Sequence, residues 1–380
     1  MTHLQSFFEP IAITIPPHST ELFGAIIDAY ISTFPNLELA EIVIMGCPCE
    51  REATKGTAES PNEIRKELYN LSNPYAHAKI ADLGNLKIKG QPQEWGEMIG
   101  YVVEKLLSLE KIVILLGGTK EIAYGQTLAY RYTGIDSDES HTNYAYISPF
   151  LDLRDQKDEV SSINYRIFNQ YPPTVNVFTG IGYQGYKIIG AEIDLMRNLS
   201  FPCLRYGALQ GQIQITEPYL REANAVCLDI SAVRHSDSPG ANYPLPAGFS
   251  VMEICQLARY AGNSSEISTF SIVEYNSSRD IHHQTATIAA MILWYFVEGI
   301  YHRRPEHPTL QPEQFKKYRV KVNAAISEIA FFQSELSGLW WMEVCNSPRT
   351  AIVPCSELEY QSVVADEIPD KWWQVFNRLS

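Results

Sequence analysis

Three groupings in this sequence carry side chains capable of chemistry. Cys47 and Cys49 form a C-x-C, while Cys203, Cys227, Cys255, Cys345 and Cys355 lie scattered. Zinc ribbons need paired C-x-x-C motifs and none occurs, so reduced, mostly buried thiols are expected. His282 and His283 are adjacent. Neighbours in sequence diverge around a helix, whereas two ligands of one ion sit at i, i+4, so this pair reads as helix-start or core histidines. The third grouping is the polar residues that follow apolar runs, such as Thr119–Lys120 after KIVILLGG and Asp229 in NAVCLDIS. In open α/β sheets ligands bind beyond the carboxyl ends of the strands, so those are the positions that matter.

The runs themselves predict the scaffold. EIVIMG (41–46), KIVILLGG (111–118), NYAYISPF (143–150), TVNVFTGIG (174–182), NAVCLDIS (224–231) and ISTFSIVEYN (267–276) read as strands. Several are continuously apolar, as in a parallel sheet covered on both faces. Helices are expected at 60–71, 91–109, 120–131, 187–199, 250–261 and 283–300, with Ser60 as an N-cap before Pro61 and Asp280 capping the last. Residues 154–173 read as a polar loop. Residues 301–313 read as a linker, followed by a helix at 312–336, two short apolar runs and a terminal helix. That end carries four of the six tryptophans, which suit packing against the main body or an interface; packing is the expected role.

Composition narrows the class. With 45% hydrophobic and 19% charged residues in 380, the chain can bury a large core and is not disordered. The net charge of −14, without a basic block, argues against nucleic-acid binding. The N-terminus lacks a signal-peptide pattern and the longest apolar run is too short to span a bilayer, so a cytoplasmic protein without membrane association is expected.

Four segments, in order, resemble the arginase/agmatinase/formiminoglutamase (ureohydrolase) family. They are GCPCER with Gly56 and SPNEIRKEL, LLGGTKEIAYG (G-G-D-H-S in the family), YISPFLDLR (D-A-H-x-D) and CLDISAVRHSDSPGANYPLPAGFSVMEI (S-x-D-x-D…P-x-P-G-G…E). IVEYN resembles the family's E-x-N strand end, and SSINYR (161–166) a loop of formiminoglutamases in particular. The resemblance covers about residues 40–300. It implies a three-layer α/β/α fold with a mostly parallel sheet over 1–300, a C-terminal extension over 301–380, and a homo-oligomer.

It also implies chemistry. The family holds two manganese ions with four Asp and two His, and the ions turn a bridging water into hydroxide that attacks a guanidinium or formimino carbon. At those positions this chain has Lys120 for a His, Ser148 for an Asp, Phe150 for the other His, and Ser231 for another Asp. Asp152 and Asp229 remain, and a nearby acidic position reads Arg234. No metal or other cofactor is therefore expected, and manganese only if other residues complete the site. Lys120 is placed between Asp152 and Asp229 as an internal ion cluster, with a base or nucleophile role for Lys120 as the other reading. Glu274 matches the family's contact to a cationic amidine, or else caps a neighbouring loop. Arg154 and Arg166 suit a substrate carboxylate, or else loop salt bridges. Ser148, Ser231 and Cys227 lack a His–Asp partner, so no triad is read. The functional expectation is a non-catalytic binding, regulatory or scaffold protein with a small guanidino, formimino or amino-acid ligand. The alternative is a hydrolase of linear amidine C–N bonds using an atypical or metal-free site.

Overall fold

The computed structural model describes residues 2–13, 21–73, 75, 77–131, 142–155, 162–171, 173–322 and 328–380. Its strands are β1 Phe8–Glu9, β2 Ile27–Ala29, β3 Ile42–Gly46, β4 Ile80–Leu86, β5 Ile112–Leu116, β6 Asn143–Ile147, β7 Val177–Tyr183, β8 Cys203–Arg205, β9 Ala225–Asp229, β10 Thr269–Val273, β11 Phe315–Lys321, β12 Glu328–Ser334, β13 Trp340–Asn346 and β14 Arg349–Cys355. Its helices are α1 Thr2–Gln5, α2 Ser60–Leu68, α3 Pro92–Leu107, α4 Glu121–Leu128, α5 Ile163–Phe168, α6 Gly190–Asn198, α7 Tyr206–Leu209, α8 Glu217–Arg221, α9 Val251–Gly262, α10 Gln284–His302, α11 Glu357–Val364 and α12 Asp370–Arg378.

The first ten strands form one sheet in the order β1-β4-β3-β5-β10-β9-β6-β7-β8, with β2 beside β4. Every pairing is parallel except β1 with β4. Both faces are covered, which is why β3, β5, β9 and β10 are buried at every position. Ile42 and Ile44 pack into the layer built on α2, α9 and α10, whereas Val43 and Met45 pack with α3 and α4. This is the period of two expected of a strand. The six expected strands and six expected helices all form, with ends shifted by a few residues.

The structure refines four local readings. Ser60 is the first helical residue, not the cap, and its hydroxyl donates to the Tyr275 carbonyl at 2.6 Å. Asp280 caps α10 from further upstream than expected: its carboxylate accepts from Thr285 N (3.1 Å) and Ala286 N (2.9 Å). The helix starts at Gln284, after an exposed His283 at φ 54°, so His282 and His283 mark a helix start and are not core residues. The supposed loop 154–173 contains α5; Ser161 lies outside the described residues.

One inner strand escaped the sequence reading. β4 (IADLGNL) interrupts its apolar pattern with Asp82 and Asn85, yet Asp82 is fully buried. Its charge is met by Arg65 of α2, also fully buried, through Nε–Oδ2 at 2.7 Å and Nη2–Oδ1 at 2.9 Å. Tyr69 donates to the same carboxylate at 2.8 Å.

The helix expected at 312–336 is replaced by β11 and β12, the first half of an antiparallel sheet ordered β11-β12-β13-β14. Tyr318, Val320 and Val322 alternate with Arg319 and Lys321, a period-two pattern that places the apolar side chains in a separate core with Phe331, Trp340, Met342 and Trp372. This unit is tied to α8 and its surroundings. Arg221 Nη2 donates to the carbonyls of Trp340 (2.9 Å) and Cys355 (3.3 Å), and its guanidinium lies 4.3 Å over Trp341. The buried Lys371 of α12 meets Glu222 at 3.1 Å and lies 4.2 Å over Tyr219. Trp340, Trp341 and Trp372 are buried, and Trp373 is 41% exposed. Among the described residues no helix is long and apolar enough to cross a membrane.

Candidate functional site

Four buried charges converge at the carboxyl ends of the central strands. β5 is followed by Gly117 and Gly118, both at positive φ (74° and 73°). A Cβ on Gly118 would stand 2.4 Å from the Cys47 carbonyl oxygen, so the turn into α4 needs glycine there. That turn delivers Lys120, the residue before α4, into the middle of the site.

Lys120 Nζ lies 2.8 Å from Asp152 Oδ2 and 3.2 Å from Asp229 Oδ2. Both carboxylates accept further hydrogen bonds. Tyr146 donates to Asp152 Oδ2 at 2.6 Å, Ser148 Oγ to Asp229 Oδ2 at 3.1 Å, and the Ser231 amide to Asp229 Oδ1 at 2.8 Å. Glu274, just past β10, accepts from the Lys120 amide at 3.0 Å and from Asn242 Nδ2 at 2.8 Å. The Phe150 and Tyr243 rings close over the ammonium, 4.9 and 5.3 Å from Nζ, and meet edge to face at 6.0 Å. Lys120 is left 1% exposed.

The electrostatics follow. Burial opposes the charge on Lys120, but Asp152, Asp229 and Glu274 outweigh it and hold the ammonium above the ordinary lysine range. That shift favours the protonated amine and so opposes a base or nucleophile role for Lys120. Burial pushes Glu274 up to about 7, against the lowering pull of Lys120. Asp152 and Glu274 both adopt positive φ (52° and 65°), the left-handed region that residues other than glycine adopt uncommonly.

The other sequence candidates are not all drawn in. Arg154 is braced in its own loop, with Nη2 donating to the Lys187 carbonyl at 2.7 Å and Nε 3.4 Å from Glu192. Arg166 stacks 4.4 Å over Tyr124 of α4. Arg234 points outward and pairs with Asp237 at 2.8 Å. Cys227 is buried, and burial pushes its thiol up to about 12, so it is not poised as a nucleophile. Sequence reasoning missed Tyr146, Tyr243 and Asn242. Tyr146 had a signal, since it precedes Ser148 by two in a strand and shares its face. The other two sit in an irregular loop whose closure nothing in the sequence pattern specifies.

A model of the arginase family matches residues 40–298, and this chain belongs to that family. Among curated relatives, the formimidoylglutamase of Clostridium tetani is 22% identical over 273 residues, covering 64% of this chain and 77% of the relative. That of a Geobacillus species is 23% identical over 298 residues, covering 70% and 85%. Among solved structures, Trypanosoma cruzi formiminoglutamase with Mn2+ superposes with a TM-score of 0.63 at 18% identity, covering 71% of this chain and 96% of that one. The formimidoylglutamase of Bacillus subtilis gives 0.66 at 16% identity, covering 79% and 98%. The arginase-like α/β fold is therefore shown, with the antiparallel sheet added at the C-terminus.

Manganese prefers carboxylate, imidazole and water donors, so the donor set can be tested directly. Among the described residues, no three His, Cys, Asp or Glu side chains stand close enough together to hold an ion. The Asp152 and Asp229 carboxylates are turned onto an ammonium, and the side chain closing over it at Phe150 offers a ring with no donor atom for a metal. Among the described residues, this donor set does not match that of a manganese pair.

Proposed function

We propose that this arginase-family chain is a non-hydrolytic member that acts through binding, regulation or scaffolding, its site held by an internal ammonium where the family resemblance implies metal. The observation that carries the reading is Lys120 Nζ at 2.8 and 3.2 Å from Asp152 and Asp229. A fixed ammonium pairs with both aspartates but has no open position at which to activate water. The buried charges are mutually paired, as buried charges must be, which makes the substitutions a consistent set.

A second reading has its own support: the relatives carry the name formimidoylglutamase. On that reading the chain hydrolyses C–N bonds of linear amidines through an atypical site, and Glu274, with its pKa near neutrality, is the candidate base. Its two oxygens already accept from Lys120 N and Asn242 Nδ2, which favours the first reading. The test is a panel of guanidino and formimino compounds incubated with purified protein and excess Mn2+, with urea and formamide release as readouts. The expected result is release at the uncatalysed rate throughout. Turnover of any member, abolished by Glu274→Gln, would establish the hydrolase reading instead.

A further inference from the structure

A cavity of about 920 Å3 lies at the seam between the two sheets. Its lining includes Asn143, Asn224 and Glu266, which stand at or just before the first residues of β6, β9 and β10. The Lys120 cluster stands beyond the opposite ends of these strands. Five-residue strands span roughly 16 Å, so this is a separate place in the molecule, and it exists because the C-terminal unit packs there.

Its walls combine three kinds of chemistry. Leu310 and Leu336, 74% and 59% exposed, join Ile352 and Pro354 of β14 as apolar surface. Arg303 and Arg304 are exposed guanidiniums that no carboxylate pairs with among the described residues; Arg304 Nη1 donates to the Leu336 carbonyl at 3.3 Å. Of the four lining glutamates, Glu217 is neutralised by Arg221 at 2.9 Å and Glu222 by Lys371 at 3.1 Å. Glu266 and Glu306 have no cationic partner among the described residues, and Glu306 Oε1 is buried without a hydrogen bond.

Two guanidiniums and two carboxylates left without counter-charges beside an apolar wall match one ligand chemistry. We propose that the cavity binds a zwitterion with apolar side chains, either a free amino acid or a short peptide. Its carboxylate pairs with the Arg303–Arg304 fork, its ammonium faces Glu266 and Glu306, and its side chain covers the leucines. An apolar anion would leave the glutamates opposed, and an apolar cation the arginines. The volume falls in the range of small-molecule sites.

Isothermal titration calorimetry on the full chain tests this with L-leucine and trileucine as probes, N-acetyl-leucine and leucine amide as end-blocked controls, and the Arg303→Ala/Arg304→Ala variant, whose changes are at exposed positions. One probe per chain is expected to bind with Kd below about 1 mM, with about tenfold weakening on blocking either end and about tenfold in the double variant, the cost of one lost charge-assisted contact. Tighter binding of leucine identifies a free amino acid, and of trileucine a peptide. No saturable heat from either probe up to about 10 mM, or affinity unchanged by end-blocking or by the double variant, would overturn the proposal.

Discussion

Replacing Lys120 with methionine is expected to lower the free energy of unfolding by about 3–5 kcal/mol, because it leaves buried carboxylates without their counter-charge. The side chain is 1% exposed and salt-bridges two carboxylates that are 5% and 0% exposed, so water cannot make up the loss. Methionine fills similar volume, so a cavity contributes little. The decisive comparison is with the triple variant Lys120→Met/Asp152→Asn/Asp229→Asn. Removing all three charges together takes away the repulsion, and most of the loss is expected to return. Denaturant unfolding followed by circular dichroism measures both. If Lys120→Met costs less than about 1 kcal/mol, the value of an exposed pair, the ammonium is not the counter-charge of the site.

A second large effect is expected at Arg65. This guanidinium and Asp82 are both fully buried and joined by two parallel hydrogen bonds of 2.7 and 2.9 Å. Arg65 Nη1 also donates to Asn85 Oδ1 at 2.6 Å, and Nη2 to the Gly84 carbonyl at 2.9 Å. Arg65→Met strands Asp82 and is expected to cost about 3–5 kcal/mol. Arg65→Lys is expected to recover only part of this, since one ammonium cannot reproduce the fork. The same unfolding measurement checks it, and a lysine variant as stable as the parent would contradict the bidentate account. The pair pins α2 to the inner strand β4, so its loss is felt in the fold rather than in the Lys120 cluster.

These two ion pairs differ in how readable they are. The Lys120 cluster was legible because its members stand at or just past the ends of strongly apolar runs. Arg65–Asp82 was not, because β4 carries polar residues in its interior, and periodicity cannot tell a buried, neutralised aspartate from a solvated one. The central strands were readable because both faces are covered and their residues are apolar throughout. β11 and β12 were misread as a helix because Phe315, Lys316 and Lys317 begin the segment without alternation, and the period of two emerges at Tyr318. Arg154 and Arg166 were singled out by residue type and by short family-like motifs, neither of which says where a loop turns: one is held by the Lys187 carbonyl and Glu192, the other by the Tyr124 ring. Tyr243 reaches Lys120 through a loop whose path is set by tertiary closure.

We propose that the Lys120 ammonium stands where the family resemblance implies manganese. This is tested most directly by incubating the purified protein with excess Mn2+, desalting it and measuring bound metal by elemental analysis. The account predicts less than about 0.1 equivalent per chain, because a charged Lys120 competes for the carboxylates an ion would need. One or two equivalents per chain would contradict it and show that other side chains complete a metal site.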